Sequence, residues 1–213
     1  MSLILHTSGS TDSPKKIKHS WNYITECAQQ SIKEIGLTST DIVLDVFPGN
    51  TIAHYTITAY PALLRGAQLH TTVFSPYEYI EQFKKVQPTY IALIPRHLEI
   101  LEKTKGFKDL DMSSVRYMVT GSSNITQEFI NAFRDRGVQT VANWYGMTEM
   151  PPPVMIGYNT PYFTKINEDV SFSNEGECII NGWHTEDIFE VGDIIKFSHR
   201  KTASSGKTWK THI

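Results

Sequence analysis

His6-Thr7-Ser8-Gly9-Ser10-Thr11-Asp12-Ser13-Pro14-Lys15-Lys16 gathers small hydroxyl residues and a glycine into one turn and closes it with lysines. Ser2-Leu3-Ile4-Leu5 before it is a short apolar run that reads as a buried strand. Beyond Pro14 the spacing Trp21, Ile24, Cys27, Ala28, Ile32 is helical, with Ser20 placed to cap it. The expectation is a strand, a flexible loop and a helix, an arrangement by which proteins hold phosphate. Hydroxyls and free backbone N–H groups surround the oxygens, glycine permits close approach and lysine supplies charge. Taken alone, the same composition also describes an ordinary turn.

Outward from this stretch, strand and helix patterns alternate. Residues 41–47 are β-rich and end at the Pro48-Gly49-Asn50 turn, and residues 54–65 read as one helix stopped by Gly66. A strand over 69–74 precedes Ser75-Pro76-Tyr77-Glu78, where Ser75 as N-cap, Pro76 at the first position and Glu78 predict a capping box and a helix to about Lys85. Strands at 89–94, 115–119 and 140–143 then alternate with helices at 95–103 and 126–136, the last ended by Gly137. That alternation predicts an α/β fold, a largely parallel sheet flanked by helices. At Pro151-Pro152-Pro153 the texture changes to short strands (154–156, 178–181, 193–197) and polar turns. The expected division is an α/β core over 1–150, a small β-rich module over 151–198 and a basic tail, poorly ordered, over 199–213.

Composition narrows the function classes. The chain has 213 residues, 40% apolar and 20% charged, with a net charge of −2. Such a balance fits an ordinary globular protein with a real core and advertises neither a nucleic-acid nor a membrane surface. Cys27 and Cys178 are isolated, without metal or redox spacing, which fits a reduced, cytoplasmic setting. Leu3-Ile4-Leu5 is too short for a signal-peptide core and no apolar run reaches membrane-span length. Ser205-Gly206-Lys207-Thr208 contains a Gly-Lys-Thr, but Lys201 stands where a Walker loop needs its leading glycine.

Four separated segments together resemble the adenylate-forming superfamily of acyl-CoA synthetases, nonribosomal peptide synthetase adenylation domains and firefly luciferase. Residues 7–15 are similar to its T-S-G-S-T-G-x-P-K phosphate loop, with Asp12 in place of the last glycine. Tyr145-Gly146-Met147-Thr148-Glu149 is an unbroken Y-G-M-T-E. Gly176-Glu177-Cys178-Ile179-Ile180-Asn181-Gly182 is close to G-E-L-x-I-x-G, and Phe189-Glu190-Val191-Gly192-Asp193 resembles Y-x-T-G-D. Residues 48–66 resemble the segment carrying an acid-pocket histidine, and Val119-Thr120-Gly121-Ser122-Ser123 the loop that lies against adenine.

The resemblance implies activation of a carboxylic acid by Mg·ATP, giving an acyl-adenylate and pyrophosphate, with onward transfer to coenzyme A or a carrier thiol. It implies that Thr7, Ser8, Gly9, Ser10 and Thr11 wrap the β- and γ-phosphates of ATP, with Lys15 adding charge. Tyr145 and Gly146, with Gly121, Ser122 and Ser123, would lie along the adenine, Thr148 would bind the α-phosphate, Glu149 would hold Mg²⁺ and Asp193 the ribose hydroxyls. His54 would stand at the acid pocket; a histidine early in an apolar helix also serves plain packing. The tail from Lys201 to Lys210 resembles the terminal P-K-T-x-S-G-K-I-x-R motif with one extra serine. Lys207 would then be the adenylation lysine, Arg200 is the alternative as a hinge arginine touching ribose, and a solvated basic tail is the reading without either. Family members are usually more than twice this length. The expected partners are a nucleotide, an acid, and either a second copy at an exposed sheet edge or a separate subunit carrying the mobile domain. A nucleotide-binding relative without turnover, acting as a sensor or as one subunit of a split enzyme, is the competing expectation, favoured by the charge of Asp12.

Overall fold

The computed structural model describes residues 2–7 and 15–201. Ser2–Thr7 (β1) and Lys15–Ser20 (β2) pair antiparallel as a two-stranded sheet of their own. The expected strand–loop–helix order is thereby corrected to a hairpin. The reason is legible in β2, where Lys16, Lys18 and Ser20 are exposed while Ile17 and His19 turn inward, a period of two. The helix α1 (Trp21–Ile35) starts only after Ser20, whose hydroxyl accepts the Tyr23 N–H at 3.2 Å, and ends at Gly36 with φ 62°.

The main sheet follows from β3 (Ile42–Asp45), α2 (Ile52–Thr56), α3 (Ala59–Arg65), β4 (Gln68–Thr71), α4 (Pro76–Val86), β5 (Tyr90–Ala92), α5 (Pro95–Leu101), β6 (Tyr117–Gly121), α6 (Gln127–Arg134) and β7 (Val141–Tyr145). These five strands are parallel, in the order β4-β3-β5-β6-β7. Alternate residues feed two cores. Leu44, Ile91, Leu93, Met118 and Val141 meet Tyr79, Phe83, Leu98 and Phe133 from α4, α5 and α6. Val43, Tyr90, Ala92, Tyr117, Val119 and Trp144 meet Ile35 of α1 and Ala62 of α3 on the other face. Both faces are covered, as a parallel sheet requires.

A charged pin closes the N-terminal end of this sheet. Arg116 donates to both oxygens of Asp41, at 2.8 and 2.7 Å, and to the carbonyls of Ile35 and Gly36 at the end of α1. Thr89 adds a 2.6 Å bond to the same carboxylate. Burial alone would raise the Asp41 carboxyl, yet the bonds from Arg116, Thr89 and Thr38 hold it well below the ordinary carboxylate range.

Two local expectations change. Residues 54–65 are two helices, broken at Ile57 and Thr58. Pro61 has no N–H to give the carbonyl of Ile57, which instead accepts the buried hydroxyl of Tyr90 at 2.8 Å. The capping box at Ser75 does not form: the Ser75 side chain caps nothing, and Glu78 accepts from Thr72 at 3.1 Å. Pro76 still opens α4.

Past the prolines, β8 (Met155–Tyr158) adds antiparallel to β7 and β9 (Lys165–Ile166) antiparallel to β8, so the sheet continues to seven strands. A separate antiparallel sheet begins at Val170 with β10 (Val170–Phe172), β11 (Glu177–Ile180), β12 (Trp183–Val191) and β13 (Ile195–Arg200). The nine-residue β12 escapes a sequence reading because its inward positions include polar Thr185 and Asp187, both buried. The strand expected at 193–197 begins at Ile195 and runs to Arg200. Among the described residues, no helix is long and apolar enough to cross a membrane.

Candidate active site

Asp45, Gly121 and Tyr145 end parallel strands on one edge of the sheet, the carboxyl edge where open α/β sheets take ligands. The chain order reverses at β3, with β4 on one side and β5 on the other, so Asp45 stands at the switch point. Asp45 is fully buried and accepts from Thr58 at 2.6 Å, from the Phe47 N–H at 3.1 Å and from His54 Nδ1 at 2.9 Å. His54 is thus oriented by a carboxylate, and its ring keeps partial exposure.

At the end of β7, the Tyr145 hydroxyl donates to Asp187 at 2.7 Å. Arg200 grips the same carboxylate with Nε and a terminal nitrogen, at 2.6 and 2.7 Å. The Asp187 side chain is buried, whereas Arg200 is 39% exposed. Burial, then the charge of Asp187, pushes the Tyr145 hydroxyl far above its ordinary range, so it stays a donor. Its ring packs edge-on to Phe189, 5.1 Å away, and to Phe163, which joins the small sheet to the end of β7.

Asp193 is not brought to this cluster. It lies exposed in the turn between β12 and β13, beside Tyr162, Glu190 and Lys196. The residue that meets Tyr145 and Arg200 is Asp187, which the sequence reading missed. A signal for it exists: Thr185-Glu186-Asp187 repeats the T-x-D spacing of T-G-D. Glu186 has φ 65°, the left-handed region that a glycine takes without strain, whereas Gly192 is not among the glycines of positive φ. The left-handed position therefore lies within Thr185-Glu186-Asp187 and not at Gly192.

Gly146 opens the loop after β7, and a Cβ there would stand 2.6 Å from the Pro152 nitrogen. Met147 N–H closes the loop on the Met150 carbonyl at 2.9 Å. The Thr148 carbonyl lies 2.6 Å from Nε2 of His19 on β2. The charge of Glu149 is felt by Arg200, whose guanidinium is held up chiefly by its bonds to Asp187. At the end of β6, a Cβ on Gly121 would meet the Trp144 carbonyl oxygen at 2.3 Å. Ser122, with φ 71°, and Ser123 follow it into solvent.

Ser8, Gly9, Ser10, Thr11 and Lys207 lie outside the described residues. Thr7 and Lys15 face each other as the last pair of the β1–β2 ladder. The structure therefore brings Tyr145 and Arg200 together on Asp187, with Gly146 and Thr148 in the loop that follows Tyr145, and sets His54 against Asp45 at the end of β3.

A model of the AMP-binding enzyme family matches residues 1–178. Indoleacetate–CoA ligase of Aromatoleum aromaticum is 31% identical over 157 residues, 70% of this chain and 29% of the ligase. Surfactin synthase subunit 2 of Bacillus subtilis is 30% identical over 155 residues, 70% of this chain and 4% of that protein. This chain thus spans less than a third of the CoA ligase. Among solved structures, the inhibitor-bound N-terminal domain of FACL13 from Mycobacterium tuberculosis superimposes with a TM-score of 0.79 at 18% identity, covering 92% of this chain and 60% of that one. O-succinylbenzoate coenzyme A synthetase from Bacillus subtilis, in complex with ATP and magnesium, gives 0.78 at 17% identity, covering 96% and 51%. Sheet order, the Tyr145–Glu149 loop and these likenesses agree, and the chain belongs to the AMP-binding enzyme family.

Proposed function

We propose that this chain carries the nucleotide site of an adenylate-forming ligase, which activates a carboxylic acid with Mg·ATP ahead of transfer to a thiol such as coenzyme A. The observation that carries the reading is the Tyr145–Asp187–Arg200 cluster. It draws the end of β7, the T-x-D strand β12 and the strand β13 to one point at the sheet's carboxyl edge.

In this reading Asp187, not Asp193, accepts hydrogen bonds from the ribose diol, and Arg200 aims its carboxylate. Tyr145, Gly146 and the Gly121-Ser122-Ser123 loop border the adenine; Gly146 leaves the backbone no side chain in the way. Thr148 donates to the α-phosphate. Glu149 is a hard oxygen ligand suited to Mg²⁺, which takes one or two carboxylates and completes its shell with phosphate oxygen and water. Among the described residues no group of three or more His, Cys, Asp or Glu is poised to hold a metal, consistent with a cation that arrives with ATP. When bound, the cation would neutralise phosphate charge at the reacting centre.

The acid carboxylate attacks the α-phosphorus and pyrophosphate leaves. Two anions must be pressed together, so positioning and charge carry the catalysis. The Thr7 to Lys15 stretch would hold the leaving phosphates, His54 would border the acid, and Lys207 would bring its ammonium to the transition state. Pyrophosphate exchange with a panel of carboxylic acids tests the reading. Exchange with one acid class supports it, exchange only after a second protein is added points to a split enzyme, and nucleotide binding without exchange points to a sensor. Asp12 favours that last outcome, since a carboxylate beside the triphosphate opposes ATP more than AMP.

A further inference from the structure

His19 is buried at 8% exposure, and its Nε2 lies 2.6 Å from the Thr148 carbonyl oxygen, 129 residues away. A carbonyl oxygen only accepts, so Nε2 carries the proton. The two partners belong to different sheets. His19 is on β2, which among the described residues pairs with β1 alone, and Thr148 follows β7 of the seven-stranded sheet. Tyr23, one turn into α1, holds the imidazole from the side with ring centres 5.4 Å apart. The loop after β7 has its own closing bond from Met147 to Met150, but that bond does not fix the loop relative to the hairpin. His19 does.

We infer that His19 is a positioning residue of the nucleotide site. Its Nε2–H anchors the backbone that carries the Thr148 hydroxyl and the Glu149 carboxylate, so that both are set before Mg·ATP arrives. The inference rests on the nucleotide reading given above. A core histidine of purely structural use would affect every ligand of the site alike. An anchor on Thr148–Glu149 selects for ligands that bring a phosphate to Thr148 and a metal ion to Glu149. Preorganising a loop in this way lowers the ordering cost of binding.

The test is calorimetry on the full chain, with Mg·ATP and with adenosine, which brings neither phosphate nor metal. His19→Leu removes the donor and keeps the bulk; His19→Gln retains an N–H at similar reach. The Leu variant should bind Mg·ATP about tenfold more weakly, the worth of one hydrogen bond, and adenosine within about threefold of the unmodified protein. The Gln variant should recover Mg·ATP binding to within about threefold. Equal losses for both ligands, or none, overturn the inference. Should the Leu variant fail to fold, His19→Asn, too short to reach the carbonyl, replaces it. Nitrogen NMR of the unmodified protein gives an independent reading: a bare Nε2 on His19 overturns the bond itself. If the unmodified protein binds neither ligand, the nucleotide reading falls and the anchor with it; parallel losses in the variants remove the anchor alone.

Discussion

Arg200 meets Asp187 end to end, Nε to Oδ1 at 2.6 Å and a terminal nitrogen to Oδ2 at 2.7 Å, across thirteen residues of the β12–β13 hairpin. A planar guanidinium matched to a buried carboxylate is a strong and directional pair. It fixes Asp187 while the Tyr145 hydroxyl takes one of the remaining lone pairs.

Asp187→Asn should lower stability by about 1–2 kcal/mol, less than a fully buried pair because Arg200 is partly exposed. AMP affinity should fall about tenfold or more as a charge-assisted acceptor is lost. Asp193→Asn should leave both within about twofold. Urea denaturation and AMP titration decide it, and a loss confined to the Asp193 variant would return the ribose to that residue.

Glu149→Ala should abolish the gain in ATP affinity that magnesium brings. Metal-free AMP binding should persist, and the melting temperature should stay within a few degrees, about what 1 kcal/mol moves in a domain of this size. Titrations with and without magnesium check this. An unaltered magnesium effect would mean the cation is held elsewhere.

Arg116→Ala should cost about 2–4 kcal/mol at neutral pH, because the Asp41 carboxylate is left buried without its cation. Asp41 has a folded value below its unfolded one, so its stabilisation is complete above the unfolded value near ~4 and fades as pH falls through the folded value. The gap between the two proteins should therefore narrow in acid. Urea midpoints from pH 7 down to pH 2 measure it; a gap independent of pH would show that the pin acts through packing alone.

Tyr90→Phe strands the Ile57 carbonyl in the core and should cost about 1–3 kcal/mol. Pro61→Ala restores an N–H that can reach the same carbonyl. The double variant should lose less than the sum of the singles. Additive losses would show that the Pro61 break and the Tyr90 bond are independent.

Cys27 and Cys178 are buried, and burial pushes their thiols up to about 11 and about 12. At pH 8 roughly one in a thousand or fewer is thiolate. Aromatic disulfide reagents should label neither in the folded protein and both in urea. Rapid labelling without urea would reveal opening of α1 or β11.

Much of the fold was legible before any coordinates. Period-two apolar runs, Gly66 and Gly137 after helices, and Pro76 at a helix start placed most elements of the α/β core. What escaped depended on partners distant in the chain. Lys15–Ser20 looked like loop because its inward residues are one isoleucine and one histidine, and it is a strand because β1 lies beside it. Glu78 turned from its cap because Thr72 offered a hydroxyl.

The site divides the same way. Contiguous residues declared the Tyr145–Glu149 loop, since the backbone around Gly146 tolerates no other side chain. Thr185-Glu186-Asp187 and Gly192-Asp193 each carry part of the T-G-D pattern, and the glycine drew the sequence reading to Asp193. Burial, the left-handed backbone at Glu186 and the reach of Arg200 separate them. The amino-acid order alone carried the family likeness in its separated motifs, and it set the sheet type through local conformation and periodicity. Only the tertiary structure decided which carboxylate joins Tyr145 and which histidine holds Thr148, because hydrogen bonds between separate sheets depend on distances that no local pattern encodes.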